Sequence, residues 1–177
     1  MLELRFVTLF SLSLVLAACG GSDSLDGQFS SGTTFTFAGG TPSTVIFPDA
    51  TWSLQPVGES GQVKLDASGN TTAIEADTNV SYSFNCALLG SGTGARATLS
   101  GGQCSVSVIR SPNDGSEQTV INHALTVTTG TAEVAGDNLA LSLSGKDLEI
   151  DTNPGGDQTT KDITFSATVA GQREATE

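Results

Sequence analysis

Basic residues and metal-ligating side chains are scarce in this sequence. Its 177 residues include 7 Lys and Arg against 19 Asp and Glu, which gives a formal net charge of -12 at pH 7. Because a phosphate backbone is repelled by such a charge, the composition excludes non-specific nucleic-acid binding by a basic face. One His and three Cys cannot furnish a zinc site of the usual His-rich or Cys-rich kinds. A Ser-His-Asp triad is excluded unless His123 is its base.

Catalytic motifs are also missing. The sequence contains no Gly-x-Ser-x-Gly elbow, no Ser-x-x-Lys and no phosphate-binding Gly loop followed by Lys and Ser or Thr. His123 alternates in phase with Ile121 and Leu125, which is typical of a hydrogen-bonded interior or edge histidine. We therefore predict a protein that is not an enzyme. A glycoside hydrolase that uses two carboxylates stays an open alternative. One Trp and one Tyr are few for a cleft in which sugar rings stack on aromatic side chains.

The first eighteen residues have the layout of a secretory signal peptide. A short start carrying Arg5 precedes an apolar run over residues 6–16. That run is too short to span a bilayer, which needs about 20 residues as a helix. A charged start, an apolar centre and small residues after it predict a helical signal peptide over residues 1–18 that is removed on export.

The end of this segment, Leu16-Ala17-Ala18-Cys19, resembles the lipobox of bacterial lipoproteins. The resemblance covers about the first twenty residues and implies that a signal peptidase recognises Leu16, Ala17 and Ala18. It also implies that Cys19 receives a diacylglycerol and usually a further acyl chain. Two or three acyl chains give stable anchoring, so we expect the mature chain to be held on a membrane without crossing it. By the same resemblance, Gly20 in place of Asp after the cysteine is compatible with export to the outer membrane of a diderm bacterium. The periplasmic and the surface leaflet both stay open.

One folded domain accounts for the rest of the chain. Residues 19–27 are small, polar and Gly-rich after the lipidated cysteine, which predicts a flexible tether. Removing 18 of the 177 residues leaves 159, about the size of one domain. We place a single β-domain over residues 28–177.

Apolar and polar residues alternate through most of this domain, as in strands with one buried face. Rows of this kind run through Thr33 to Phe37, Trp52 and Leu54, Val63 and Leu65, Val80 to Cys86, Ile121 to Val127, Leu139 to Leu143 and Ile163 to Val169. Gly, Asn and Asp clusters predict turns at residues 38–40, 68–70, 113–115, 135–138 and 153–156. The fold class predicted is all-β, an antiparallel β-sandwich or an up-and-down β-barrel of about 8–10 short strands.

Two cysteines remain in the domain. Cys86 shares the phase of Val80 and Phe84, and Cys104 shares the phase of Val106, so both thiols are expected to point inward. In an exported domain this predicts a Cys86–Cys104 disulfide. The Gly-rich stretch that ends in Gly-Gly-Gln-Cys also resembles, weakly, predicted lipoproteins of unknown function, a resemblance that implies no activity.

An acidic strand precedes the last predicted hairpin. Asp147, Glu149 and Asp151 alternate with Leu148 and Ile150. The alternation predicts that the three carboxylates share the wet face of one strand, with neighbours about 7 Å apart.

The segment that follows has partial calcium-loop spacing. Asp151, Asn153, Gly156 and Asp162 occupy positions one, three, six and twelve of the pattern D-x-[DN]-x-[DN]-G-x5-E. The fifth position is Gly155, the twelfth is Asp in place of Glu, and helical flanks are missing. The first interpretation is a long polar hairpin connection. The second is a weak calcium site with Asp151, Asn153 and Asp162 as ligands, and no other cofactor is expected.

Three hypotheses for function follow. The leading one is a non-enzymatic, membrane-anchored β-domain that contacts another envelope or cell-surface protein, favoured by the tether, the disulfide and the missing catalytic motifs. The alternative is a small-ligand or glycan binder, in a barrel mouth or on a calcium-dependent face. The third is an envelope hydrolase that uses two converging carboxylates.

Overall fold

The computed structural model describes residues 24–174, in which the chain forms a closed eight-stranded barrel. Its strands are β1 (Gly27–Phe37), β2 (Thr44–Val57), β3 (Gln62–Glu75), β4 (Thr78–Thr93), β5 (Arg96–Pro112), β6 (Thr119–Ala135), β7 (Asn138–Thr152) and β8 (Gln158–Arg173). Each strand pairs antiparallel with the next, and β8 pairs with β1. The all-β prediction is confirmed, and of the two architectures the barrel is the one formed. The signal peptide and Cys19 lie outside the described residues.

The strands are longer than the short ones predicted, at 11 to 17 residues each. One predicted turn, residues 68–70, is wrong because these residues lie inside β3. Gly69 is small there because β4 packs closely against it. A Cβ on Gly69 would lie 2.5 Å from the ring of Phe84 and 3.1 Å from the Cβ of Ala50.

The interior of the barrel is filled by aromatic and aliphatic side chains. Trp52, Phe35 and Phe47 are fully buried. The Phe84 ring lies 4.6 Å from Phe47 and 5.2 Å from Phe35, centroid to centroid. Such packing places the apolar residues of every strand on one continuous inner surface. The alternation in the sequence therefore marks the inside and the outside of the barrel.

A disulfide joins Cys86 and Cys104, as predicted. The two residues are direct cross-strand partners on β4 and β5 with their Cα atoms 4.0 Å apart. Both side chains are buried.

The up-and-down order places the strand connections at two ends. The upper end carries residues 38–43, 76–77, 113–118 and 153–157. The lower end carries residues 58–61, 94–95 and 136–137, together with the start of β1 and the end of β8. We use the names upper end and lower end for these two sets.

The chain is packed against the lower end before β1 begins. Leu25 is 2% exposed, and its N–H donates to the carbonyl of Gly94 at 3.0 Å. The guanidinium of Arg173 donates to the carbonyls of Ser24, at 2.6 Å, and Asp26. The tether predicted for residues 19–27 thus includes a packed part, and the domain boundary predicted at residue 28 falls within β1.

Within residues 24–174 the structure has no helix of the length and apolar character needed to cross a membrane.

Candidate functional site

A histidine and an aspartate form a buried pair in the upper part of the barrel. His123 on β6 points inward with Ile121 and Leu125, as its strand phase predicted. Its Nδ1 lies 2.7 Å from Oδ2 of Asp147 on the neighbouring strand β7. Both side chains are completely shielded from solvent. The contact gives one polar atom of each buried side chain a partner, which lowers the cost of burying both groups.

The three acids of β7 face inward, so the predicted wet face is wrong. Asp147 is 2% exposed and Glu149 8%, whereas Leu148 between them is 38% exposed. The register explains the orientation, because cross-strand partners share a face. Asp147 is opposite Leu125, and Glu149 is opposite His123, both of which are inward residues of β6.

The imidazole of His123 is held between an aromatic ring and a carboxylate. The Phe37 ring stacks on it at 3.9 Å between centroids, with 10° between the ring planes. Nε2 of His123 and Oδ1 of Asp147 are buried and have no hydrogen-bond partner among the described residues. A catalytic triad would require a hydroxyl on Nε2. None of the described residues places a hydroxyl there.

The loop of residues 38–43 lies over this pair. The N–H of Thr41 donates to Oε2 of Glu149 at 2.7 Å. The ammonium of Lys161 donates to the carbonyl of Gly39. Gly40 fits closely against the end of β1, because a Cβ there would lie 2.7 Å from the Cβ of Phe37.

The predicted calcium ligands are not brought together. Asp162 is opposite Leu148 on the outer face, whereas Asp151 has the inward phase of Asp147. The backbone of Asn153 closes the β7–β8 turn, with its N–H bonded to the carbonyl of Asp157 at 2.9 Å. In residues 24–174 no three His, Cys, Asp or Glu side chains are placed to hold an ion. Within this segment residues 153–157 form the connection between β7 and β8, and the flanking residues belong to the two strands.

A second polar group lies at the upper end and could not be identified from the sequence. Its residues lie on three different strands, which only the folded barrel brings together. Glu75 accepts hydrogen bonds from the Tyr82 hydroxyl at 2.9 Å and from Nη1 of Arg110 at 2.8 Å. The Tyr82 hydrogen bond, with help from Arg110, lowers the pKa of Glu75 below its usual value, against a smaller opposing effect of burial. Burial, followed by Glu75, raises the pKa of Tyr82.

This group predicts a small acid-dependent loss of stability. The pKa of Glu75 is lowered in the folded state, so its contribution is present above the ordinary value of 4.5 and is lost as the pH falls below it. The Glu75 side chain is 45% exposed, and solvent screening limits the contribution to below about 1 kcal/mol. We expect Glu75→Gln to lower the free energy of unfolding by that amount at neutral pH and by less near pH 3.

Urea unfolding at several pH values measures this difference, with Glu117→Gln on an exposed loop as the control. An equal effect of Glu75→Gln at both pH values would contradict the explanation, since an uncharged contact does not titrate.

Comparison of the chain with protein-family models, with curated proteins and with solved structures gave no match.

Proposed function

We propose that this chain is an exported lipoprotein, held on the outer membrane by acyl chains on Cys19, whose barrel contacts another envelope or cell-surface protein without catalysing a reaction. The observation that supports this most directly is where the chain enters the barrel. Ser24 and Leu25 are fixed at the lower end, and Cys19 precedes Ser24 by five residues. Five extended residues span at most about 17 Å. An anchor on Cys19 therefore keeps the lower end beside the membrane and directs the upper end away from it.

The upper end has the features of a contact surface. Its connections 38–43, 113–118 and 153–157 are longer than those of the lower end, and binding residues are frequent on such loops. Its connections contain four exposed acids and neither Lys nor Arg. These acids are Asp77, Asp114, Glu117 and Asp157.

The charge of this end favours a partner with a basic surface. The N–H of Ser116 donates to the Asp114 carboxylate at 2.9 Å, and this hydrogen bond lowers the pKa of Asp114. Asp114 thus stays ionised under mildly acidic conditions. Complementary charge speeds association and suppresses wrong partners.

The outer wall of the barrel is polar, which favours contact with water. Outward residues of the strands are hydroxyl-bearing or amide-bearing at many positions, and some pair across strands. Thr129 and Ser144 share a hydrogen bond at 2.8 Å, and Thr131 and Ser142 share one at 3.0 Å. The aromatic filling of the interior favours contact from the outside over a small ligand in the barrel.

Site-specific photo-crosslinking in intact cells tests the proposal. A photoreactive residue at Asp114 or Asp157 is expected to capture the same envelope protein, because both lie on the upper end. The same residue at Glu59, on an exposed lower turn, is the matched control and is expected to capture nothing in common with them. Equal capture from both ends, or no capture from either upper position, would contradict the proposed contact.

The variant Cys19→Ser tests the anchor in the same cells. It is expected to leave the membrane fraction and to lose the mass of the acyl chains. Retention in the membrane fraction with the acyl mass intact would overturn the anchor and leave the contact to be judged by the crosslinks.

A further inference from the structure

The pairing of β2 with β3 stops before either strand reaches the upper end. The last cross-strand partners in that direction are Ala50 and Gly69. Beyond them, β2 still includes residues 44–49 and β3 still includes residues 70–75. Among the described strands, the first of these segments pairs with β1 alone and the second with β4 alone. Two strand edges are therefore open in the upper part of the wall.

Aromatic side chains close the interior behind this opening. Phe47 on β2 is fully buried and Phe84 on β4 is 4% exposed, and their ring centroids lie 4.6 Å apart. The Phe84 ring occupies the space at Gly69, where a Cβ would lie 2.5 Å from it. The core is thus covered where the backbone pairing stops, and what is open is the row of backbone groups along each edge.

The backbone groups on the open side of β3 can be assigned by alternation. The Gly92 N–H bonds to the Gly61 carbonyl at 2.8 Å, immediately before β3, and the register of β3 with β4 is unbroken. In an antiparallel pair every second residue bonds to the same neighbour. The odd-numbered residues of β3 therefore bond to β4, and Asn70, Thr72 and Ile74 direct their N–H and C=O groups to the open side.

Of the two edges, only that of β2 is protected against an added strand. Pro48 has no N–H and lies with Asp49 where the pairing of β2 with β1 is irregular. Proline, charge and irregular pairing discourage strand addition at an edge. Residues 70–75 contain no Pro, Gly or Lys, and their one acid, Glu75, is paired with Arg110. An added strand is therefore expected on β3.

Exposed apolar side chains lie on both sides of the opening. Ile74 on β3 is 77% exposed and Ile46 on β2 is 60% exposed, which are the highest values for large apolar side chains among the described residues. A strand added to β3 would be the cross-strand neighbour of Ile74 and would cover it. The opening thus offers an extended chain both backbone hydrogen bonds and apolar contact.

Charge around the opening favours a basic segment. Asp49 and Asp77 are exposed beside it, and residues 44–49 and 70–77 contain no Lys or Arg. A backbone hydrogen bond of 2.8 Å to the Asp77 carbonyl also holds the acidic 113–118 connection next to the end of this edge. Such a surface attracts a segment that carries Lys or Arg. A second copy of this chain, with a net charge of -12, would be repelled.

We propose that the open edge of β3, residues 70–75, binds an extended segment of the envelope partner, containing Lys or Arg, as an added β-strand. This inference rests on the proposed function for the existence of a partner and adds how that partner is bound. Main-chain hydrogen bonds to Asn70, Thr72 and Ile74 supply affinity, and side chains of the added strand contact Ile74. The edge lies at the upper end, which the anchor on Cys19 directs away from the membrane.

Photo-crosslinking in intact cells, followed by mass spectrometry of the crosslinked peptides, tests the added strand. A photoreactive residue at Ile74 is expected to capture the same protein as one at Asp114, through a segment that contains Lys or Arg. Ser68 is the matched control, because it is an exposed residue of the same strand where β3 is still paired with β2. It lies six residues or about 20 Å from Ile74 and is expected not to capture this segment.

A proline at the edge tests the main-chain hydrogen bonds. Thr72→Pro removes one N–H from the open side and none that bonds to β4, and edge strands tolerate proline. Capture at Ile74 is expected to fall about tenfold, the factor for about one lost hydrogen bond. Thr72→Val keeps the N–H and is expected to keep the capture. Circular dichroism checks that both variants are folded.

A charge at the edge tests the same contact without a change of backbone. Ile74→Lys replaces a side chain that is 77% exposed, so the fold is expected to be kept if Thr72→Pro is not tolerated. Capture from a photoreactive residue at Asp114 is expected to fall, because the new charge repels a basic segment and the apolar contact is lost. Leu89→Lys, at a 59% exposed residue of β4 that is paired on both sides, is expected to leave this capture unchanged.

The outcomes separate this inference from the proposed function. Capture at Asp114 with none at Ile74, or undiminished capture at Ile74 in folded Thr72→Pro, would overturn the added strand and leave the proposed function standing. No capture from any upper position would contradict both. Crosslinks from Ile74 to a second copy of this chain, or to a segment without Lys or Arg, would overturn the assigned occupant.

Discussion

Replacing Trp52 by Ala is expected to lower the free energy of unfolding by about 3–5 kcal/mol, the cost of a large cavity in a packed core. Trp52 is completely buried, and its ring centroid lies 6.1 Å from that of Phe84. Its indole Nε1 donates to the hydroxyl of Thr33 at 3.0 Å, inside the barrel. The substitution therefore also leaves that buried hydroxyl with one partner fewer. A domain of this size is stable by only about 5–15 kcal/mol, so the loss is a large fraction of the total.

Urea unfolding followed by far-UV circular dichroism measures the effect, because the only tryptophan is removed. Trp52→Phe is the matched control, since it keeps an aromatic ring and removes the indole N–H. Thr33→Val removes the hydrogen bond from the other side. We expect Trp52→Ala to be the most destabilising of the three. An effect of Trp52→Ala no larger than that of Thr33→Val would mean that the ring contributes little to the core.

The alternation in the sequence predicted the inner face of the barrel well, but it left the architecture open between a closed barrel and a sandwich. Alternation assigns a residue to one of two faces, and Phe35, Trp52 and Leu65 are buried as their phases predicted. Alternation does not say which strands are neighbours. Closure depends on pairing between β1 and β8, such as Phe35 opposite Ala167, and these residues are far apart in the chain. A sandwich has the same local pattern.

Glycine was the misleading signal within the strands. A glycine between Ser and Asn predicts a turn by its conformational freedom. Gly69 instead makes room for the ring of Phe84, a need that arises only after β3 and β4 are paired. Local composition cannot distinguish these two uses of a glycine.

The candidate site was predicted in part. The position of His123 followed from its own phase, but its partner Asp147 was placed on the wrong face because an acid is normally exposed. A signal was available in the same strand. Leu139, Leu141 and Leu143 point inward, and an uninterrupted strand carries the same phase to Asp147 and Glu149. Phase continuity was the better guide here than residue polarity.

The partner of the 38–43 loop could not be inferred from any spacing. Thr41 and Glu149 are separated by 108 residues, and their hydrogen bond joins a backbone N–H to a side chain. The identity of a loop residue says little about its backbone N–H. This contact therefore exists only in the closed barrel.

The second large effect is expected at the buried pair. Asp147→Leu should lower the free energy of unfolding by about 3–5 kcal/mol, because removal of one partner leaves the other polar group buried and unsatisfied. The remaining group is His123, whose Nε2 already lacks a partner among the described residues and whose Nδ1 would lose its own. Urea unfolding at neutral pH measures the loss, and Leu125→Ala gives the scale of a cavity next to the same position.

The combined variant His123→Leu and Asp147→Leu distinguishes mutual satisfaction from simple packing. Replacing both members of a buried pair by apolar residues is often neutral or stabilising, so we expect the double variant to be far more stable than Asp147→Leu alone. The pair's coupling energy follows from the double-mutant cycle. If the double variant lost at least as much as the two single variants together, the pair would be needed for its shape against Phe37 rather than for its hydrogen bond.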